Sequence, residues 1–217
     1  MSVLGHDDRQ LVPDTSMSPW RTICALRITA ANGAEVFGTG FLVSPHAVVT
    51  AAHNIFDHCR GGQCIGIVVI PALDGATEQF GHQEMADSHL PSTWKGSPTP
   101  GTDYAVLTLD AAVQAGALPC VQLTDQVAPK TPLTIAGYPF DLDGATRQYF
   151  HQRIGKTSGD TLKYDIDTNR GQSGSPIIAA IPVPMAIGVH VEGTDAMNFG
   201  VRFTSPAITN IKAWALL

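Results

Sequence analysis

The sequence predicts an all-β fold, a sandwich or a pair of small barrels, closed by one C-terminal helix. Three observations carry this. Short runs rich in Val, Ile, Thr and Phe recur along the chain, each bounded by Gly, Pro, Asn or Asp. Gly and Pro are frequent, at 21 and 15 residues, as tight turns between many strands require. The length of 217 residues suits one compact unit or two small packed barrels.

Taken in order, the expected strands are Arg21–Ala30, Glu35–Val43, Ala47–Ala52, Ile65–Ile70, Asp103–Leu109, Leu133–Tyr138, Thr161–Ile166, Pro176–Ile181, Ala186–Val191 and Phe199–Phe203. Between Gly75 and Thr102 the chain is polar and reads as long loops. Pro119, Pro129 and Pro132 separate two runs of strands, which places a domain boundary near 118/119, with units 1–118 and 119–217. At the end, Ser205 can cap a helix, Pro206 suits its first turn, and Ile208, Ile211 and Ala215 share one face.

Composition excludes several classes. With 44% hydrophobic and 15% charged residues the chain is globular rather than disordered. No window approaches the roughly 18 apolar residues of a membrane span. A net charge of −6 with scattered Lys and Arg gives no phosphate-binding surface, so neither nucleic acid nor membrane is an expected partner. Met1 to Gln10 lacks a basic segment followed by an apolar core, so the chain is either cytosolic or a mature form without its leader.

Four cysteines allow three connectivities. Cys59 with Cys64, enclosing a four-residue loop, and Cys24 with Cys120, stapling the first barrel, are the favoured pairs. Disulfides imply an oxidising, extracellular compartment. Metal binding is the competing use of these cysteines, but no second close pair or His pair stands at ligand spacing. No metal or cofactor is expected.

Three islands carry chemistry. Thr50-Ala51-Ala52-His53 ends a strand run on an imidazole, Asp103-Tyr104-Ala105-Val106-Leu107 places an acid at the mouth of an apolar strand, and Gly171-Gln172-Ser173-Gly174-Ser175-Pro176 holds a Ser between glycines. Singly, each is ordinary: a surface His, a turn Asp, a Gly-Ser loop. Together their roles interlock. A serine hydroxyl is a poor nucleophile until a base takes its proton, and His is the base whose pKa suits neutral pH. A buried carboxylate fixes the imidazole tautomer and stabilises the imidazolium. Gly171 lets the backbone bend so that its N–H and that of Ser173 face a developing oxyanion.

These segments, in the order His, Asp, Ser, resemble the signature segments of chymotrypsin-like serine peptidases. The resemblance spans nearly the whole chain. It implies two packed six-stranded antiparallel β-barrels with a C-terminal α-helix, His53, Asp103 and Ser173 as triad, and a monomer acting on peptides. An α/β-hydrolase is disfavoured because Ser175 stands where its nucleophile elbow needs Gly.

Trypsin-like enzymes carry Asp immediately before the nucleophile, where this chain has Gln172. Asp167 does lie six residues before Ser173, the position of trypsin's pocket Asp, so basic specificity is one alternative. A closer likeness is to bacterial glutamyl endopeptidases. Thr168 stands five residues before the Ser, Gly188-Val189-His190 is similar to their segment after the nucleophile, and Ser2-Val3-Leu4-Gly5-His6-Asp7-Asp8-Arg9 is similar to their mature start. That likeness implies a secreted, zymogen-derived endopeptidase cleaving after Glu and less readily after Asp. Thr168, His190 and the amine of Ser2 or Val3 would hold the substrate carboxylate, and Met1 would displace that amine. The remaining alternatives are another specificity on the same triad, for small or basic residues, or an inert binding module on the same fold. Asp141-Leu142-Asp143-Gly144 lacks the closing Glu of a calcium loop and reads as a turn.

Overall fold

The computed structural model describes residues 2–114, 120–128, 130–179 and 185–217. The expected boundary at 118/119 and the end of the Pro176–Ile181 run lie outside them.

The first half closes into a six-stranded barrel. Around it run Ile23–Thr29, Glu35–Ser44, Ala47–Thr50, Ala105–Leu109, Gln83–His89 and Gly66–Pro71, each antiparallel to the next. The second half is a nine-stranded sheet whose principal path orders Gln10–Leu11, Tyr149–Ile154, Pro132–Gly137, Pro176–Ala179, Met185–Gly193, Asn198–Arg202, Thr161–Tyr164 and Lys156–Ser158. The expected all-β architecture is present, with the second sheet open in its ladder and the N-terminal strand Gln10–Leu11 joined to it.

Strand alternation decides what each face does. In Ile23–Thr29, Cys24, Leu26 and Ile28 point into the first barrel with Leu42, Val48 and Leu107, while Ile23 and Ala25 point outward and pack with Ala136 and Tyr138 of the second half. Phe41 and Val49 likewise leave the barrel and join Ala186, Val189 and Val201. Period-two strands that are apolar on both faces thus fill a barrel and join two halves with alternate residues of the same strands. The second half has its own interior of Leu133, Ile135, Leu162 and Ile177.

Several strands fall where none was expected, the two longest being Gln83–His89 and Tyr149–Ile154. The first lies in the stretch read as loops, and the second had no strand assigned. Both are half-exposed and polar, so neither carries a buried apolar run. Backbone pairing to Val68, Val69 and Ala105–Leu109 fixes the first, and pairing to Pro132–Gly137 the second. The C-terminal helix spans Ser205–Trp214 and buries Ala207 and Ile211, with Ala215 beyond its end. Its cap is Thr204, whose hydroxyl accepts from Ala207 N–H, one residue before the expected Ser205.

Neither expected disulfide is formed, and all four cysteines are thiols. Phe56–Asp57 and Gly62–Gln63 pair as a small hairpin. Cys59 sits exposed at its tip, whereas Cys64 leaves its base and turns into the first-barrel core, so the two diverge. Cys24 is fully buried with its thiol toward the Thr22 carbonyl at 3.5 Å. Burial, and secondarily the neighbouring Cys120, pushes its pKa up. No helix among the described residues is long and apolar enough to cross a membrane.

Candidate active site

Sheet register brings His53 and Asp103 together. Thr50 pairs with Ala105 on adjacent antiparallel strands. Three residues on from Thr50, His53 lies in the 3-10 turn Ala52–Asn54; two residues before Ala105, Asp103 caps the turn Pro100–Thr102. Both chains leave the barrel at the same edge. Asp103 is 7% exposed and uses both oxygens, accepting His53 N–H at 2.9 Å and facing His53 Nδ1 at 2.7 Å. The two bonds set ring orientation and place the Nδ1 proton toward the carboxylate, an arrangement in which Nε2 can accept a proton. Burial alone would lower the His53 pKa. The charge and hydrogen bond of Asp103 outweigh it, so the imidazole sits above its usual value.

The second half supplies Ser173 from the turn before Pro176–Ala179, and this turn is fastened to the first barrel. Thr39 N–H donates to the Ser173 carbonyl at 2.8 Å, and Asn54 Nδ2 donates to the same carbonyl at 2.9 Å. Thr39 Oγ1 donates to the Gly171 carbonyl at 2.8 Å and accepts Tyr138 N–H at 3.1 Å. Thr50 Oγ1 in turn donates to the Thr39 carbonyl and accepts from Asn54. A residue adjacent to His53 therefore holds the main chain of Ser173. His53 and Ser173 line one cavity of about 470 Å³.

The glycines beside Ser173 are required twice over. Gly171 and Gly174 have φ of +92° and +91°, where side chains are strained. A Cβ at Gly171 would lie 2.2 Å from the Tyr138 carbonyl oxygen, and one at Gly174 2.0 Å from that of Thr39. Only glycine permits these two approaches, the first within the second half and the second between the halves.

Thr168 and His190 are both wholly buried. The His190 carbonyl accepts Gly174 N–H at 2.8 Å, and its N–H donates to the Ser175 carbonyl at 2.9 Å, so it is tied to the Ser173 turn. Its Nδ1 lies 2.7 Å from the Tyr164 hydroxyl. Burial, aided by the charge on nearby His53, drops its pKa to about 3, so the ring is neutral. Among the described residues the Thr168 hydroxyl and His190 Nε2 are buried without a hydrogen-bond partner at normal geometry, although the Phe199 backbone lies near enough to the His190 ring to favour its charged form slightly.

The N-terminal segment lies across this region. The Ser2 carbonyl accepts from Thr168 N–H at 3.2 Å and from Asn198 Nδ2 at 2.8 Å, and Ser2 N–H donates to Asn198 Oδ1 at 3.1 Å. Asp167 does not offer its carboxylate to a basic side chain of a substrate. Its oxygens accept Leu4 N–H at 2.8 Å and Asp8 N–H at 3.0 Å, so it anchors the same segment. Asp141 pairs with Arg9 and accepts from Asn169.

Asp8, His151 and Asp167 bring three ligand-type atoms within 4.8 Å of one another. Each is already used: Asp8 pairs with Arg153, Asp167 holds the segment, and His151 Nδ1 accepts Asp167 N–H at 2.9 Å. The cluster anchors the N-terminal segment.

Thr39, Asn54, Tyr164 and Asn198 were not picked out from the sequence. Their partners lie up to 196 residues away, so no local spacing marks them.

Residues 38–181 match the model of the trypsin-like peptidase domain. The chain is 29% identical over 224 residues to a glutamyl endopeptidase of Bacillus licheniformis, covering 98% of this chain and 69% of that protein. It is 28% identical over 219 residues to a Bacillus subtilis protein named as an extracellular metalloprotease, covering 99% and 70% respectively. A solved structure of a Glu endopeptidase in complex with MPD superposes with a TM-score of 0.89 over 99% of this chain and all of that one, at 22% identity. A His-Asp pair and a glycine-framed serine, brought to one cleft between two β halves, agree with these likenesses: the chain belongs to the trypsin-like peptidase domain family and is a serine endopeptidase.

Proposed function

We propose that this endopeptidase cleaves after Glu, and less readily after Asp, with Ser173 as nucleophile, His53 as general base and acid, and Asp103 as the group that orients His53. Ser173 Oγ attacks the carbonyl while His53 Nε2 takes its proton. The N–H groups of Gly171 and Ser173 stabilise the oxyanion, and His53 returns the proton to the leaving amine. Water then hydrolyses the acyl-enzyme by the same route.

The observation that carries the Glu preference is that Thr168 Oγ1 and His190 Nε2 are two buried polar atoms left without a partner among the described residues. Leaving a buried polar group unpaired costs about 1–3 kcal/mol. A substrate carboxylate would satisfy both. Burial keeps the Tyr164 phenol protonated, and Nδ1 of His190 stands ready to accept that proton. His190 then carries its own proton on Nε2, as a donor to the carboxylate. Ser2 and Val3 lie at the rim in this reading, with Ser2 pinned to Thr168 and Asn198. A free amine there would add the positive charge that two neutral donors lack. Secretion fits the extracellular naming of the B. subtilis relative.

A peptide panel varying only the residue before the cleaved bond tests the specificity. Glu is expected to exceed Gln in kcat/KM by about 100-fold, with Asp between them. Preference for Lys or Arg would overturn it.

The acid limb of kcat/KM follows from His53. Only the neutral ring accepts the serine proton, and its pKa is raised. Activity should therefore fall with falling pH through an inflection above the usual imidazole value of about 6.5. His190, neutral down to about 3, adds no limb near neutrality. An inflection below the usual value, measured on a substrate without titrating groups, would contradict the His53–Asp103 assignment.

A further inference from the structure

The cavity shared by His53 and Ser173 does not include Thr168 or His190 in its wall. It runs the other way, past His53 and along the first barrel. The direction has a chemical meaning. His53 delivers its proton to the amine that departs, so space beyond the imidazole, away from the carboxylate-binding atoms, receives the chain that leaves.

Two aromatic rings dominate this groove. Phe37 from the first barrel and Phe140 from the second half stack with centroids 5.5 Å apart and planes at 27°. Phe140 is 52% exposed, and its backbone N–H donates to the Arg170 carbonyl at 2.6 Å, which fixes it to the turn preceding Ser173. The charged groups of the wall cancel: Glu35 and Asp57 against Arg60 and Arg170, with Arg60 already paired to Asp57. Selection there falls to apolar contact rather than to charge. At about 470 Å³ the cavity is of the size that encloses a ligand group rather than a surface dimple.

We propose that this groove binds the substrate segment following the cleaved bond, and that the Phe37–Phe140 pair selects a large apolar or aromatic side chain at the second residue after it. The proposal rests on the Glu reading above, because that reading defines which side is the acyl side. It makes the enzyme a two-sided reader, with carboxylate recognition before the bond and an aromatic platform after it.

The test uses peptides with Glu before the bond and Phe, Leu, Ala or Gly at the second position after it. The wild-type enzyme is expected to favour Phe over Gly by about tenfold in kcat/KM. In Phe140→Ala that ratio should collapse toward unity, and Phe140→Leu should keep most of it. Because each ratio is internal to one enzyme, a change in the amount of folded protein does not move it. A flat wild-type panel, or a ratio unchanged in Phe140→Ala and in Phe37→Ala, overturns the proposal. A Glu anilide, whose leaving group carries no residues, reports the acyl side alone. Its hydrolysis alongside a flat panel rejects the groove only. Its refusal, with another acyl residue accepted, rejects the Glu reading, and the panel built on that residue then supports or overturns the groove by the same ratios.

Discussion

Ser173→Ala is expected to lower kcat on a Glu peptide by on the order of 10⁵- to 10⁶-fold, with the fold intact. The substitution removes one oxygen from a residue only 4% exposed. It leaves the main-chain carbonyl that accepts from Thr39 and Asn54, so the turn stays fastened to the first barrel. Thermal unfolding should move by no more than about 1 kcal/mol. His53→Ala should cost about as much in kcat, and the double variant little more than either, because nucleophile and base act as one unit. Additive losses would mean that the two residues serve different steps. A Ser173→Ala enzyme keeping a tenth of wild-type kcat would overturn the assignment of the nucleophile.

That assignment was legible in the sequence because the three islands are local. Thr-Ala-Ala-His and Gly-Gln-Ser-Gly-Ser-Pro each place a reactive side chain beside a strand end, the second with the glycines its backbone requires, and the structure finds both strands and the positive φ values of Gly171 and Gly174. Strands apolar on alternate or both faces were also legible, since burial writes itself into composition. Gln83–His89 was not, because a half-exposed strand held by its neighbours' backbone leaves no hydrophobic period. The cysteine pairs misled for a different reason. Sequence spacing made Cys59 and Cys64 neighbours, but the hairpin between them sends one to the tip and the other into the core. Asp167 shows the limit most sharply. Its spacing from Ser173 matched a specificity residue, while its carboxylate is spent on the backbone of Leu4 and Asp8, contacts about 160 residues away that no spacing rule contains.

Thr168→Val is expected to move activity and stability in opposite directions. The Thr168 hydroxyl is fully buried with no partner among the described residues, a cost the folded enzyme carries whether or not substrate is present. Valine keeps the branched shape and removes the unpaired group, so unfolding should be unchanged or harder by up to about 1 kcal/mol. The same change deletes a donor to a charged acceptor, worth about 1.5–3 kcal/mol. Activity on Glu peptides should accordingly fall by about 10- to 150-fold in kcat/KM, and activity on Gln peptides much less. His190→Ala should erase the Glu-to-Gln preference too, but at a stability cost, because it opens a cavity and strands the Tyr164 hydroxyl. Tyr164→Phe separates the roles. It keeps both groups in place and removes only the proton donor to Nδ1, so it should weaken Glu selectivity through the imidazole tautomer while leaving Thr168 untouched. If Thr168→Val loses stability and Glu activity together, the hydroxyl is a structural group with a partner in solution, and the carboxylate site lies elsewhere. If it gains stability and loses Glu preference, the unpaired hydroxyl is held in the folded enzyme for the substrate.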